Sequence, residues 1–519
     1  MSDLSVPYLM PRVEEVVPDF AMLKDRLTGS SVVEERYTAT QVPSSGDSYT
    51  VGGSGTRLMI IRVANQNDYI DTSTMVLNFK AQSNQTTTGL ALDDHILSLV
   101  DTINVKVGGQ TVEVLNNVGH LVNALVQGSM PYNYYKQNGG FEGLYVYDKW
   151  SDGPASNYCP MNTADVTNPN MINARWAIGN SWLENGRYYS VPLTLLGLCR
   201  IPTLFAARNF QDVTIEILFR SQVAGAAWVN DPTLASGAGS AAAVPANIAV
   251  NISDVSLTYD CCRMSADYYA LMDAELKMPN GSGVAYAVDT YQVQPASIAA
   301  GASATTGPGS VGALTRIVVA KGTRFLKGVY GVSKPVSSET SYAWRNNSTS
   351  GNFCFSSYQV IINSKRYPQL QIQSSAQAFQ ELQKAYNQLG SVAGGAVISW
   401  FNYVGQPVAR LGGLNNTQRQ DATASGTKDG TLLGACPGDE GMFQNGVNLE
   451  QFLTNQPDAG GINTSTSGYQ IAIEIQNSGQ TGAVATVDAT MTASGLTHYV
   501  ILHFTRVLTL KAGAVEVLD

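Results

Sequence analysis

An all-β-dominated chain, made of one strand-rich unit used twice, is what this sequence predicts, and three observations carry that expectation. Segments of alternating polar and apolar residues bounded by Gly, Asn and Asp recur along its length, the pattern of half-buried strands. At 519 residues the chain is far too long for one ordinary core. The second half also echoes the first in the same order. Gly55-Thr56-Arg57-Leu58-Met59-Ile60 returns as Leu314-Thr315-Arg316-Ile317-Val318-Val319. Val105-Lys106-Val107-Gly108-Gly109-Gln110 returns as Val360-Ile361-Ile362-Asn363-Ser364-Lys365, and each copy leads into a stretch with helical spacing. Val213-Thr214-Ile215-Glu216-Ile217 returns as Ile471-Ala472-Ile473-Glu474-Ile475, and Asp254-Val255-Ser256-Leu257-Thr258-Tyr259 as Tyr499-Val500-Ile501-Leu502-His503-Phe504. Any one of these pairs would mean little, because alternating strands resemble one another. Their preserved order gives them weight.

Along the chain, residues 1–31 read as an amino-terminal arm in which Pro7, Pro11 and Pro18 discourage regular structure, with a short helix over 19–27. A first unit then spans 32–277. Its strands are expected at 58–63 and 75–80, followed by a hairpin of 103–107 and 111–114 about Gly108-Gly109, where two glycines suit the turn. A short helix follows over 120–127, from the spacing of Leu121, Val122, Leu125 and Val126. Residues 128–190 hold many aromatics, Tyr132, Trp150, Trp176 and Trp182 among them, and read as a long ordered excursion between strands. Strands resume at 189–193 and 210–219. Residues 224–247 form an Ala/Gly/Ser/Pro insert read as an exposed loop, and 265–276 a closing helix. The second unit spans 278–519. The Gly/Ala/Ser-rich stretch 296–312 is either a linker or an early loop of that unit. Residues 376–389 carry the clearest helical spacing, 402–446 a second long loop, and 499–511 the final strand.

Charged residues make up 14% of the chain, well below the usual quarter. A weakly charged surface of this extent is easier to hide in protein contacts than to keep dispersed, which points to an assembly subunit. The formal charge is −9 with no basic stripe, and the arm is itself acidic on balance, so direct nucleic-acid binding is not expected. The six cysteines (Cys159, Cys199, Cys261, Cys262, Cys354, Cys436) lack Cys-x-x-Cys spacing and read as reduced, mostly buried thiols. No basic region leads into an apolar core at the amino terminus, so no signal peptide is expected, and no apolar run has the length of a membrane span. The Asn-x-Ser/Thr triplets read as chance in an Asn/Ser/Thr-rich chain.

Chemistry-bearing motifs fail on context. Gly307-Pro308-Gly309-Ser310-Val311-Gly312 matches a dinucleotide fingerprint by letter, but a strand-like segment stands where the phosphate-binding helix should begin. His498 and His503 lie five apart on an expected strand and so face opposite ways. Asp93-Asp94-His95 and Asp439-Glu440 read as a turn or cap and a loop rather than as ligands. No catalytic, cofactor-binding or metal-ligating residue is assigned, and no enzymatic activity is expected.

Several segments resemble the double jelly-roll major capsid proteins of double-stranded DNA viruses. Tyr188-Tyr189-Ser190-Val191-Pro192-Leu193, Ile201-Pro202 and the run from Asn209 to Ile217 are similar to that family's Pro-Leu strand, second Pro and last strands of the first roll. The segment from Asp254 to Tyr259 is similar to the strand closing that roll. Ile362-Asn363-Ser364-Lys365-Arg366-Tyr367-Pro368, followed by a helix, resembles the helix-bearing segment of the second roll, and 499–510 its carboxy-terminal strand. Length and loop style resemble Polinton-like viruses and virophages more than the larger adenovirus hexon. The resemblance implies two consecutive eight-stranded antiparallel jelly rolls and a homotrimer forming a pseudo-hexameric capsomer of an icosahedral virion. It further implies neighbouring capsomers, penton and minor capsid proteins as partners, with no cofactor and no sequence-specific nucleic-acid binding, and leaves contact with an internal membrane open. The long loops would form towers or intersubunit contacts. The alternative from another class is a β-sandwich adhesin or carbohydrate-binding protein, whose aromatics would stack on sugars; a glycosidase on jelly rolls would need a carboxylate pair that nothing here singles out.

Overall fold

The computed structural model describes residues 33–63, 67–84, 89–92, 95–131, 186–210, 212–230, 247–277, 284–299, 314–340, 355–387, 398, 403, 443–450, 460–465, 469–477, 495–511 and 514–518. The first half supplies β1 (Val33–Gln41), β2 (Ser48–Val51), β3 (Leu58–Val63), β4 (Tyr69–Ser83), β5 (Gly89–Leu92), β6 (Val100–Val107), β7 (Gln110–Asn116), β8 (Arg187–Pro192), β9 (Val213–Phe219), β10 (Ala227–Asn230) and β11 (Val250–Met264). The second half supplies β12 (Val284–Ile298), β13 (Leu314–Val319), β14 (Phe325–Pro335), β15 (Phe355–Ile362), β16 (Lys365–Ile372), β17 (Asn445–Asn448), β18 (Ile471–Asn477), β19 (Leu496–Lys511) and β20 (Ala514–Leu518). The helices among the described residues are α1 (Val118–Ser129), α2 (Ala207–Phe210), α3 (Ala266–Lys277) and α4 (Ser375–Ala385).

The first half folds into sheets ordered β1-β11-β4-β8, with β2 also on β11, and β3-β9-β6-β7. The second half folds into sheets ordered β12-β19-β14-β17, with β20 also on β19, and β13-β18-β15-β16. Replacing each strand by its counterpart (β1 by β12, β3 by β13, β4 by β14, β6 by β15, β7 by β16, β8 by β17, β9 by β18, β11 by β19) turns one set of orders into the other. Each half is thus an eight-stranded antiparallel jelly roll, and the chain is two of them in succession. A small ribbon of β5 and β10 stands apart.

Alternation explains the cores. In β4, Met75, Leu77, Phe79 and Ala81 are buried while Val76, Asn78 and Lys80 are more open. In β9, Val213, Ile215, Ile217 and Phe219 point inward. The β6–β7 turn places Gly108 and Gly109 at φ +54° and +79°; the β15–β16 turn places Asn363 and Ser364 at +47° and +65°. Both are turns with two left-handed residues, which match the twist of a tight hairpin. The helices expected at 120–127, 265–276 and 376–389 form as α1, α3 and α4. In α4, Ser374 caps the backbone N–H of Gln377, whose side chain reaches back to Gln373.

The repeat holds in detail. Val213 pairs with Val63 and Val107, and Ile471 pairs with Val319 and Ile362, so the β6–β7 and β9 correspondences are in register. The fourth correspondence matches the right strands, β11 and β19. The first finds the right strands but slips by three residues: it aligns Ile60 with Val319, whereas the pairing aligns Val63 with Val319. An odd slip puts core residues on the solvent face, and letters alone could not detect it.

Other expectations are corrected. Phe210 is not in a strand; it ends α2, where it packs on Phe205 with ring centroids 4.9 Å apart, and β9 begins at Val213. The 224–247 insert is not all exposed loop, since Ala224 and Ala226 are buried and β10 pairs with β5. The stretch 296–312 is no linker between rolls, because its start belongs to β12 and it leads to β13 of the same roll. The arm at 1–31, the aromatic stretch 132–185, the remainder of the insert at 231–246 and most of the second loop at 404–442 lie outside the described residues.

Candidate functional site

The feature that organises the molecule is the seam where the two rolls meet, edge strand β7 of the first against edge strand β12 of the second. Glu113 sits fully buried in the middle of β7. Its two carboxylate oxygens each lie 3.0 Å from the Gly197 N–H, and Oε1 accepts from Thr290 Oγ1 of β12 at 2.6 Å. Burial pushes the Glu113 pKa up, opposed by those hydrogen bonds and by Arg200 and Arg506. Gly197 opens a 3-10 turn that runs to Arg200 and lies so close to the second roll that a Cβ there would collide with the Asp289 carbonyl.

Arg200, at the end of that turn, crosses the seam. Its Nη2 donates to the Asp289 carbonyl at 2.6 Å, its Nη1 to Tyr291 Oη at 3.0 Å, and its guanidinium lies 4.9 Å from the Tyr291 ring. The Asp289 carboxylate accepts from Lys327 Nζ at 2.7 Å and Thr505 Oγ1 at 2.6 Å. Burial raises its pKa, but Lys327 and these bonds outweigh burial and hold it below the usual carboxylate range.

A second buried knot stands on α1. His120 Nε2 lies 2.7 Å from Glu339 Oε1, which also accepts from Tyr499 Oη at 2.6 Å, while Arg220 Nη2 reaches Glu339 Oε2 at 3.1 Å. The His120 ring lies 4.1 Å from that of Tyr499. Among the described residues His120 Nδ1 has no hydrogen-bond partner, so an imidazolium would bury an unsatisfied N–H there. Burial accordingly lowers the His120 pKa, which favours a neutral ring that donates to Glu339 through Nε2. Burial would raise the Glu339 pKa, but its hydrogen-bond donors and Arg220 hold it well below the ordinary value. Two further ties cross the seam. Tyr386 Oη and Gln444 Nε2 donate to the Ala124 carbonyl of α1 at 3.2 and 3.3 Å, and Arg506 Nη1 donates to the Val112 carbonyl of β7 at 2.6 Å.

The three carboxylates Glu113, Asp289 and Glu339 are each engaged by fixed donors. A cleft of about 260 Å³ near Thr290, lined by Asn116, Tyr291, Lys321 and Arg506 among others, is smaller than usual ligand pockets. Among the described residues no group of three or more His, Cys, Asp or Glu could hold a metal ion, and no helix is long and apolar enough to cross a membrane.

His95 caps the 3-10 turn Ile96–Leu99 through Nδ1, in keeping with the turn-or-cap reading; Asp93, Asp94, Asp439 and Glu440 lie outside the described residues. His498 and His503 meet different partners, Ser333 Oγ at 2.8 Å and the Tyr291 ring at 4.7 Å. Cys199, Cys261 and Cys262 are buried. Sequence reasoning missed Glu113, Arg200, Asp289 and Glu339. One usable signal was the nearly continuous apolar run of β12, Val284 to Val288, which fits a strand covered on both faces better than one facing water.

No family model and no curated protein matches this chain. Solved structures do. PBCV-1 VP54, fitted into a reconstruction of the virophage Sputnik, is similar over 95% of this chain and 99% of its own, at 11% identity and a TM-score of 0.51. The PBCV-1 virus capsid is similar over 94% and 98%, at 12% identity and a TM-score of 0.52. The Sputnik virophage structure is similar over 94% and 89%, at 11% identity and a TM-score of 0.52. The chain therefore has the double jelly-roll fold found in virus capsids, across nearly its whole length.

Proposed function

We propose that this chain is a major capsid protein whose homotrimers form pseudo-hexameric capsomers tiling an icosahedral shell. The observation that carries the reading is a pair of rolls with identical strand order, fused by a buried seam into one body. Two similar lobes per chain let three chains present six, so a threefold assembly has a hexagonal outline. The extended likeness to PBCV-1 and Sputnik structures supports the same role, a structural one within a virion. In this reading residues 1–31 are an arm, 32–277 and 278–519 the two rolls, and neighbouring capsomers, penton and minor capsid proteins the partners.

Native mass spectrometry of the purified chain tests this. Trimers of about 166 kDa, three times the 55.3 kDa chain, are expected from the threefold argument. A monodisperse monomer that binds glycans would sink the reading in favour of an adhesin. Deleting residues 1–29 should leave trimers intact but impair shell assembly.

A further inference from the structure

The cleft of about 260 Å³ opens on the seam, and its walls come from both rolls. β7 of the first roll supplies Asn116; in the second roll β12 supplies Tyr291 and Gln292, β19 supplies Phe504 and Arg506, and Lys321 comes from the link between β13 and β14. Every described lining residue is buried or half-buried, and none of them is acidic. Cations drawn together in such a place are less screened by water than on an open surface, so an anion gains more from them.

Two cations converge on one ring there. Lys321 Nζ lies 5.8 Å and the Arg506 guanidinium carbon 5.5 Å from the centroid of Phe504. Arg506 is fixed by the bond of its Nη1 to the Val112 carbonyl at 2.6 Å. A guanidinium carries five N–H groups, so one side chain can hold the first roll and still donate into the cleft. Neutral donors stand beside the pair, the amides of Asn116 and Gln292. Tyr291 Oη accepts from Arg200 Nη1 at 3.0 Å, which leaves its own O–H to donate. Of the carboxylates described at the seam, none lines the cleft: Glu113 is engaged by Gly197 and Thr290, and Asp289 by Lys327 and Thr505.

We propose that this cleft binds a small free oxyanion of the phosphate type, held by Lys321 and Arg506 with the amides of Asn116 and Gln292, and that the bound anion ties the first roll to the second. Size sets the class. Pockets for organic ligands begin near about 300 Å³, whereas a tetrahedral oxyanion needs only a few water volumes of about 30 Å³ each. Donor type sets the sign, since charge-assisted hydrogen bonds from Arg and Lys are the strong ones for phosphate. The site is complete within one chain, so it does not depend on the capsomer reading.

Calorimetric titration of the full chain with inorganic phosphate, at fixed ionic strength in an amine buffer, tests this. One saturable site per chain is expected, with a Kd of about 1 mM or tighter, the affinity that two charge-assisted hydrogen bonds supply. Lys321→Gln in the second roll and Asn116→Asp in the first should each weaken binding at least about tenfold, and Gln292→Glu, which adds a carboxylate to the cleft wall, should abolish it. Lys321→Arg should stay within about tenfold of the original. Circular dichroism verifies that each variant folds. Amide exchange of the unmodified chain needs no variant: phosphate should slow it in both 110–116 and 284–298. Phenyl phosphate tells a free ion from an ester, and binding at least about tenfold weaker is expected from so small a cleft. No saturable binding, or binding that survives both Lys321→Gln and Gln292→Glu, overturns the site. Protection confined to one roll overturns the tie, and equal affinity for phenyl phosphate overturns the assignment to a free ion.

Discussion

Replacing Glu113 by Ala tests whether the seam holds the rolls as one folding unit. The substitution removes the acceptor for two buried donors, the Gly197 N–H and the Thr290 hydroxyl. A buried donor left unsatisfied costs about 1–3 kcal/mol, so the pair costs about 2–6 kcal/mol. Arg200 and Arg506, which favour the carboxylate, lose that interaction as well. A loss near 4 kcal/mol is expected, in the range seen when one partner of a buried charge network is removed. Urea unfolding followed by tryptophan fluorescence and far-ultraviolet circular dichroism should report it as a lower midpoint. Thr290→Val closes a cycle: because Thr290 donates to Glu113, the double variant should fall short of the sum of the singles by about 1–2 kcal/mol. A Glu113→Ala loss below about 1 kcal/mol, or strict additivity with Thr290→Val, would refute the view that this bond carries the seam.

Acid should loosen the fold through its histidines. Burial lowers His95 to about 3 and His498 to about 4. The unfolded chain therefore takes up protons below about pH 6.5 that the folded chain refuses, and stability falls with pH from there until the folded groups titrate. At pH 5 each costs about 2 kcal/mol, so thermal melting should fall steadily from pH 7 to 5. His95→Asn, which keeps an acceptor for the Leu97 N–H, should make that slope shallower; an unchanged slope would argue against a neutral buried His95. Gly197→Ala should cost about 1–3 kcal/mol by forcing the 3-10 turn off the Asp289 backbone, read by chemical denaturation; a neutral result would mean the seam can yield there.

What the sequence made legible was whatever is local. Gly108-Gly109 announced a hairpin because two left-handed residues leave few alternatives, and Asn363-Ser364 could be matched to it by position in the hairpin. The alternation of β9 and β18 gave both strands and their relative register. The β3–β13 match slipped because its letters, Thr-Arg followed by apolar residues, say nothing about which face is inside. The seam was nearly invisible. Glu113 looks like any solvent-side residue of an alternating strand, and only distant partners, Gly197 and Thr290, 84 and 177 positions away, show that it is not. His120 was placed on a helix correctly, but its partner Glu339 is 219 positions distant. Contacts of that separation leave no periodic trace in either segment.

The contrast between β7 and β16 follows from whether each edge is covered within the chain. An edge that meets its partner within the same chain enjoys a high effective concentration of it. It can therefore desolvate a carboxylate such as Glu113, because the donors arrive as the chain folds and need never leave. An edge that the chain leaves open must survive in water. Lys365 and Arg366 keep β16 hydrated, and its bulge and Pro368 block indiscriminate strand addition. Leu370 alone offers apolar area, too little to aggregate. Two strands with the same place in the same fold thus differ in polarity, one covered within the chain and one open to solvent.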